Sequence, residues 1–264
     1  MFICNLLYAY TLKIQLRQAR YHMKIAFISD VHGNLEAFTA VCASIKDEHV
    51  DRVVFLGDSV GYGANPNECI ELLRTITENC IAGNHDWAAA GRQSTDAFNP
   101  AARDAIEWTC AQLTKENKAL LMSLPLTLEI NQLLCVHATP HMPQKWRYVF
   151  NACDAELIFE TFMQRICFAA HTHCPAIFVE HEDTTVVREI SSQVTLHPHC
   201  RYIINCGSVG QPRDGDWRSS YGVFDASCNR YYLVRVDYDL ASAQKKILRA
   251  GLSDFLAHRI SVGR

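Results

Sequence analysis

Polar side chains that bind metal ions or phosphate follow several apolar runs of this sequence. Asp30 and His32 come after MKIAFIS, and Asp58 comes after RVVFLG. The full set of such donors is Asp30, His32, Asp58, Asn84, His85, His137, His171 and His173. Carboxylate oxygen combined with neutral imidazole nitrogen suits Mn, Zn or Fe. The pattern therefore indicates a metal site with mixed oxygen and nitrogen ligands.

Asp58 holds the central place in this pattern. Residues 53–56 are apolar without polar alternation, which predicts a strand buried on both faces, as in a parallel sheet. Asp58 then lies just past the carboxyl end of the strand, where open α/β sheets bind ligands. We predict that Asp58 bridges two metal ions about 3.5–4 Å apart, a geometry suited to phosphoryl transfer. The neutral amide of Asn84 can bind a metal ion without adding charge, which keeps the site cationic.

The first part of the chain predicts a βαβ unit. A strand over 23–29 leads to a helix in which apolar residues recur at helical spacing, with Asn34 as its cap. The strand before Asp58 follows, and such units are almost always right-handed with parallel strands. A second helix begins at Pro66, and a third strand over 79–82 leads to Asn84.

The remainder predicts helices followed by short strands. Residues 87–126 are predicted to be a helical cap over the sheet or one wall of a cleft. The pattern then favours strands that end at His137 and before His171, separated by a helix over 154–164. Five further short strands are expected over 177–179, 185–188, 202–205, 221–225 and 231–236. They predict a mostly antiparallel second sheet packed face to face on the first, with helices outside.

Composition excludes several classes of protein. The 264 residues carry a net charge of −3, which gives no electrostatic argument for nucleic acid as a partner. No stretch reaches the roughly 20 apolar residues of a membrane span. The twelve cysteines are scattered without a CxxC pair, so we expect a reduced, cytoplasmic protein without disulfides. Residues 1–22 are interpreted as an extension without function and residues 23–264 as one domain.

Five short motifs, in order, resemble the signature blocks of the calcineurin-like metallophosphoesterases, in particular the compact prokaryotic phosphodiesterase branch. The motifs are Asp30-x-His32, Gly57-Asp58-x-x-Gly61, Gly83-Asn84-His85-Asp86, His137 within VHATP, and Ala170-His171-Thr172-His173. Each block alone is weakly specific, whereas five in order are a strong signal. The resemblance covers residues 23 to about 237 and implies a four-layer α/β/β/α sandwich.

The resemblance also implies roles for individual residues. One metal ion would be bound by Asp30, His32, Asp58 and His173, and the other by Asp58, Asn84, His137 and His171. His85 would contact the phosphoryl oxygens or protonate the leaving group, with Asp86 fixing its orientation. A hydroxide that bridges the metals would attack phosphorus in line. Manganese is the first choice of metal, with Fe, Zn, Ni or Co as alternatives.

The substrate is less defined by the sequence than the chemistry. We expect a small phosphodiester or a dinucleoside polyphosphate, with a phosphomonoester or phosphoprotein as the alternative. A non-catalytic metal-binding scaffold on the same fold is the rival from another class, and the sequence leaves the oligomeric state open. Ala138 and Ala170 stand where the family has glycine. We expect intact metal binding unless either position requires a positive φ.

Overall fold

The structure is a computed structural model that describes residues 23–264, so the interpretation of residues 1–22 lies outside it. The helices are α1 (Leu35–Asp47), α2 (Pro66–Ile76), α3 (Asn84–Ala90), α4 (Pro100–Gln112), α5 (Lys115–Ser123), α6 (Ala152–Phe159), α7 (Leu240–Arg249) and α8 (Asp254–Val262). The strands are β1 (Lys24–Ile28), β2 (Arg52–Phe55), β3 (Thr127–Ile130), β4 (Leu133–Val136), β5 (Ile166–Ala169), β6 (Ala176–Glu180), β7 (Val186–Glu189), β8 (Gln193–Thr195), β9 (Arg201–Asn205), β10 (Ser219–Asp225) and β11 (Arg230–Val236).

Strands β1 and β2 are parallel neighbours buried on both faces, as their unalternated apolar runs predict. Ile25 and Phe27 point towards the second sheet, where Phe27 stacks on Phe168 with ring centroids 3.5 Å apart. Ala26 and Ile28 point the other way, into the apolar layer beneath the outer helices. The first βαβ unit therefore forms as the sequence indicates.

The strands form two sheets that pack face to face. The first has the order β2-β1-β10-β11-β8 and the second β3-β4-β5-β9-β6-β7. Helices α1, α7 and α8 cover the outer face of the first sheet, while α6 covers the second. This arrangement confirms the predicted α/β/β/α sandwich with two sheets.

The assignment of late strands to the second sheet was partly wrong. Strands β10 and β11 belong to the first sheet, because β10 pairs antiparallel with β1 and β11 follows it in a hairpin. Within the second sheet β5 is parallel to both β4 and β9, while the other three pairings are antiparallel. Strand spacing along the chain predicts hairpins well but does not show which existing edge a hairpin joins.

The predicted strand over 79–82 needs correction. The segment forms one isolated bridge, between Phe55 and Cys80, and the amide of Ala82 donates to the carbonyl of Pro125 instead.

The segment 87–126 is helical, as predicted, and contains the end of α3 and all of α4 and α5. The C-terminal helices α7 and α8 were not predicted from the sequence. They pack against each other and against the same apolar cluster as α1.

Helices α3 to α5 pack together around an apolar cluster that includes Ala89, Ile106 and Leu121. Val60, in the loop after β2, belongs to the same cluster. This packing fixes the start of α3, which carries Asn84, His85 and Asp86, beside the loop that carries Asp58. All cysteines among residues 23–264 are free thiols, and none of the helices described there is long and apolar enough to cross a membrane.

Candidate metal centre

The loops that follow the parallel strands have an unusual backbone conformation. Five of the seven predicted metal ligands have positive φ, namely Asp30 (50°), His32 (51°), Asp58 (61°), His171 (69°) and His173 (59°). For residues other than glycine this conformation costs about 1 kcal/mol or more and clusters at functional sites. His171 and His173 therefore lie in a strained loop after β5, which ends before His171 as predicted.

Backbone hydrogen bonds join the first two of these loops. The amide of Asp30 donates to Gly57 at 2.9 Å, and the amide of His32 donates to Asp58 at 3.0 Å. Because β1 and β2 are parallel, their carboxyl ends lie side by side, and these bonds continue the pairing beyond the strands. The side chains of the two loops therefore converge on one buried space.

A first cluster of donor atoms combines Asp30, His32 and His173. Asp30 Oδ1 lies 3.7 Å from His32 Nε2 and 3.3 Å from His173 Nε2. The two imidazole nitrogens are only 3.1 Å apart. All three side chains are buried, so the atoms face each other without solvent between them.

A second cluster combines Asp58, His137 and His171. Asp58 Oδ2 lies 3.3 Å from His137 Nε2, and that nitrogen lies 3.2 Å from His171 Nδ1. The same Asp58 oxygen is also 3.7 Å from His32 Nε2 of the first cluster. Asp58 therefore stands between the two clusters, as the sequence predicts.

Each histidine of the clusters has its other ring nitrogen on a backbone carbonyl. Nδ1 of His32, His137 and His173 faces the carbonyls of Val60 (3.0 Å), Leu56 (2.7 Å) and Gln211 (2.7 Å), and His171 Nε2 faces that of Trp146 (3.0 Å). A carbonyl only accepts, so these nitrogens carry the hydrogen. In the neutral ring the remaining nitrogen, which faces the cluster, then has a free lone pair, the arrangement typical of metal ligands.

Three buried oxygen atoms in this space lack hydrogen-bond partners: Asp30 Oδ1, Asp58 Oδ2 and Asn84 Oδ1. A buried carboxylate or amide oxygen without a partner costs free energy, and buried charges are normally paired or bound to metal. Oxygen and imidazole donors at this density fit divalent metal ions. Asn84 lies at the start of α3 and shares the cleft with Asp58 and His171.

The electrostatics of the metal-free clusters favour one extra proton on His137. Burial alone would lower the pKa of His137, but the neighbouring Asp58 carboxylate raises it to about 9. Burial lowers the pKa of His171 to about 3, and it lowers the pKa of His173 well below its usual value. The pKa of Asp58 is held far below its usual range, because His137 and His85 outweigh the effect of burial. A metal ion at the second cluster must replace the proton of His137.

His85 lies close to His32 and Asp58, and donor atoms of these three residues form a third group that could hold a metal ion. The buried Nδ1 of His85 has no hydrogen-bond partner among residues 23–264. Its ring packs at right angles to the rings of His32, at 4.7 Å, and Phe98, at 5.1 Å. Tyr62 completes this wall with a centroid distance of 4.5 Å. Burial lowers the pKa of His85 well below its usual value, so the ring is neutral at pH 7.

Asp86 does not orient the His85 ring, so that prediction was wrong. Its carboxylate accepts hydrogen bonds from the amides of Asp58 (2.7 Å), Ser59 (2.9 Å) and Gly83 (3.0 Å), and from Ser59 Oγ (2.7 Å). The carboxylate is fully buried and points away from the donor clusters, towards the backbone. Asp86 thus fixes the loop that carries Asp58.

Gly83 and the two alanines of the signature motifs meet different steric demands. A Cβ atom on Gly83 would collide with the Asp58 carboxylate, so glycine is required there. Ala138 and Ala170 are buried, and neither has a positive φ. Alanine at these two positions therefore places no positive-φ strain on the loops.

A cleft of about 250 Å³ opens onto these residues. Tyr62, Phe98 and Arg213 line it. Asp214, the residue after Arg213, pairs instead with Arg235. Arg213 hydrogen-bonds to Gln211 and to the Tyr62 hydroxyl but to no carboxylate within residues 23–264.

Sequence reasoning missed several residues of the cleft, which include Gln93, Lys145, Trp146 and Tyr148. Gln93 accepts from Trp146 Nε1 at 2.6 Å and donates to the carbonyl of Asn84 at 3.1 Å. Trp146 is only partly buried and lines the cleft. Backbone carbonyls carry part of these contacts, and no residue type signals them in the sequence.

Comparisons with known proteins agree with this geometry. The family model described as the calcineurin-like phosphoesterase superfamily domain matches residues 23–229. An uncharacterized protein of Methanocaldococcus jannaschii, MJ0912, is 40% identical over 245 residues, which cover 91% of this chain and 98% of that protein.

Solved structures of similar proteins also match most of the chain. The crystal structure of a metallophosphoesterase from Sphaerobacter thermophilus is 41% identical, with a TM-score of 0.82 over 92% of this chain and 100% of that chain. A hypothetical protein from Pyrococcus horikoshii, PH1004, is 18% identical, with a TM-score of 0.74 over 92% of this chain and 99% of that chain. The second similarity concerns the fold alone.

The raised pKa of His137 predicts that metal binding releases a proton. The pKa is about 9 in the metal-free fold, against roughly 6.5 in an unfolded chain, so the proton stabilises the metal-free fold fully below pH 6.5. That contribution is lost as the pH rises through 9. At pH 7.5, Mn²⁺ binding should therefore release about one proton from this residue. Titration calorimetry in buffers of different ionisation enthalpy measures the number, and no proton release at pH 7.5 would contradict the assignment.

Proposed function

Since the chain belongs to the calcineurin-like phosphoesterase superfamily, we propose that it hydrolyses phosphodiester bonds or the phosphoanhydride bonds of dinucleoside polyphosphates, with two divalent metal ions. The observation that carries the proposal is the position of Asp58 Oδ2, 3.3 Å from His137 of one cluster and 3.7 Å from His32 of the other. Two clusters that share one carboxylate are the arrangement used to clamp a phosphoryl group.

In this proposal the buried donors divide between the two ions. Asp30, His32, Asp58 and His173 bind one ion, and Asp58, Asn84, His137 and His171 bind the other. When bound, the ions supply Lewis acidity that activates water and offsets charge on the phosphoryl oxygens. The mixed oxygen and nitrogen donor set favours Mn²⁺ over ions that require only oxygen ligands.

His85 and Arg213 are proposed to bind the phosphoryl group from the protein side. His85 lines the cleft, and the one N–H of its neutral ring can donate a hydrogen bond to a phosphoryl oxygen or to the leaving oxygen. The Arg213 guanidinium shares the cleft with His85, and its hydrogen-bond partners within residues 23–264 are neutral. It is therefore free to form charge-assisted hydrogen bonds with an anion.

The shape of the cleft favours a diester over a monoester. Tyr62 and His85 pack on His32 of the first cluster, whereas Trp146 and Tyr148 pack on His137 and His171 of the second. All four residues line the cleft, so both groups of a diester can remain in contact with protein. A monoester would leave one of the two aromatic groups unused.

A substrate panel tests the proposed reaction. Purified protein loaded with Mn²⁺ should hydrolyse phosphodiesters and dinucleoside polyphosphates faster than matched phosphomonoesters or phosphopeptides, as measured by product release. Faster turnover of the monoesters would identify a phosphomonoesterase. No turnover of any ester, with both metal ions bound, would instead indicate a scaffold and contradict the proposal.

Two variants separate metal binding from catalysis. Asp58→Asn removes the shared charge, so it should lose metal ions as well as activity. In this proposal His85 is not a metal ligand, so His85→Ala should retain both ions yet lose roughly 10²–10⁴ in turnover. Elemental analysis beside initial rates measures both effects. Normal metal content and activity in Asp58→Asn, or unchanged turnover in His85→Ala, would refute the assigned role.

A further inference from the structure

Two arginines from distant parts of the chain meet at Tyr62, beside the candidate metal centre. The guanidinium carbon of Arg213 lies 5.7 Å from the centre of the Tyr62 ring, and that of Arg259 lies 5.8 Å from it. The Tyr62 ring itself packs against His32 of the first cluster, with centroids 4.7 Å apart. Two guanidinium groups therefore lie next to the side of the centre that carries the first cluster.

Main-chain contacts fix the position of each arginine. The amide of Arg213 donates to the carbonyl of His173, a residue of the first cluster, at 3.1 Å. Arg259 lies on α8, and the carbonyl of Gly263, just after this helix, accepts from the amide of Gly215 at 2.9 Å. Gly263 lies so close to the loop after β9 that a Cβ atom there would collide with the backbone of the loop. Helix α8 is thus held against the loop that carries Arg213.

Both guanidinium groups keep N–H groups that have no partner within the described part of the chain. Nε and one NH₂ group of Arg213 donate to Gln211 and to the Tyr62 hydroxyl, which leaves its other NH₂ group. Nε of Arg259 donates to a main-chain oxygen of Arg264 at 2.5 Å, which leaves both of its NH₂ groups. Both side chains are only partly buried, so a ligand from solvent can approach the remaining N–H groups.

The acidic side chains around the two arginines have other partners. Two of them lie on the same loop as Arg213 and form ion pairs with other arginines. These pairs are Asp214 with Arg235 and Asp216 with Arg218. Asp58 lines the cleft but belongs to the donor clusters. Among residues 23–264, no ion pair joins Arg213 or Arg259 to an acidic side chain.

The two positive charges therefore act on each other without a carboxylate side chain to offset them. Burial and, next to it, the charge of Arg213 lower the pKa of Arg259 to about 10. Asp254, the acidic residue of α8, lies at the other end of the helix from Arg259. Two like charges in a partly buried position are stabilised by an anion that contacts both of them.

We propose that Arg259 and Arg213 together bind a second phosphate group of the substrate, next to the phosphoryl group at the metal centre. A guanidinium presents its N–H groups in a planar fork that matches two phosphate oxygens. Arg213 lines the cleft and can contact both phosphate groups, whereas Arg259 stands beside the cleft and contacts the second one.

This inference rests on the proposed function and narrows its substrate class. The substrate carries two or more linked phosphate groups, as dinucleoside polyphosphates do. A simple diester has no group for the two-arginine subsite, since its one phosphate occupies the metal centre.

The test compares two ligands that differ by one phosphate group. Adenosine monophosphate and α,β-methylene adenosine diphosphate share the nucleoside, and the methylene bridge prevents hydrolysis between the two phosphates. Calorimetry on the Mn²⁺-loaded protein measures both dissociation constants, and elemental analysis after each titration verifies the metal content. Charge-assisted hydrogen bonds to the second phosphate predict that the diphosphate analogue binds roughly 10-fold more tightly.

Three variants connect this preference to Arg259. Arg259→Gln should remove most of the preference, because it removes the cation that contacts the second phosphate. Arg259→Lys retains the charge without the planar fork and should retain only part of the preference. Arg249→Gln removes the same charge from an exposed arginine of α7 that does not line the cleft, and it should leave the preference unchanged.

The possible outcomes are distinct. Equal affinity of the wild-type protein for both ligands, or an undiminished preference in either Arg259 variant with normal metal content, would overturn the inference. An equal loss of preference in Arg249→Gln would show a general effect of net charge and would overturn it as well. A preference that depends on Arg259, in protein that hydrolyses neither diesters nor phosphoanhydrides, would contradict the proposed function and support the subsite.

Discussion

Two pairs of imidazole nitrogens face each other at close distance in the candidate metal centre. The site depends on a positive charge that relieves the repulsion between their lone pairs. The nitrogens of His32 and His173 are 3.1 Å apart, and those of His137 and His171 are 3.2 Å apart. Backbone carbonyls fix the hydrogens of all four rings on the far side. Neutral rings so arranged direct lone pairs at each other, and a proton, as on His137, or a metal ion relieves the repulsion.

The sandwich brings these rings together because both sheets contribute parallel strands whose carboxyl ends meet at one edge. Strands β1 and β2 supply Asp30, His32 and Asp58, while β4 and β5 supply the other histidines. The loops accept strained backbone conformations to aim their side chains inward. Asp86 offsets part of that cost. Its buried carboxylate accepts four hydrogen bonds, one from the Asp58 amide, two from Ser59 and one from the Gly83 amide.

Sequence patterns predicted the donors and the first βαβ unit well, because unalternated apolar runs and short motifs are local signals. The same signals could not assign β10 to the edge of β1, since strand pairing is decided by contacts nearly 200 residues apart. The motif Gly83-Asn84-His85-Asp86 suggested that Asp86 orients the neighbouring His85 ring. In the structure the Asp86 carboxylate binds the Asp58 amide instead, and His85 Nδ1 does not bind it. Trp146 and Tyr148 carry no motif, and only the fold brings them to the cleft.

Asp58 is proposed to bind both metal ions of one centre. Crystals of the protein grown with Mn²⁺, with diffraction recorded at the manganese absorption edge, test it most directly. We expect two anomalous peaks about 3.5–4 Å apart, both in contact with the Asp58 carboxylate. A single peak, or two peaks that do not share Asp58, would contradict it.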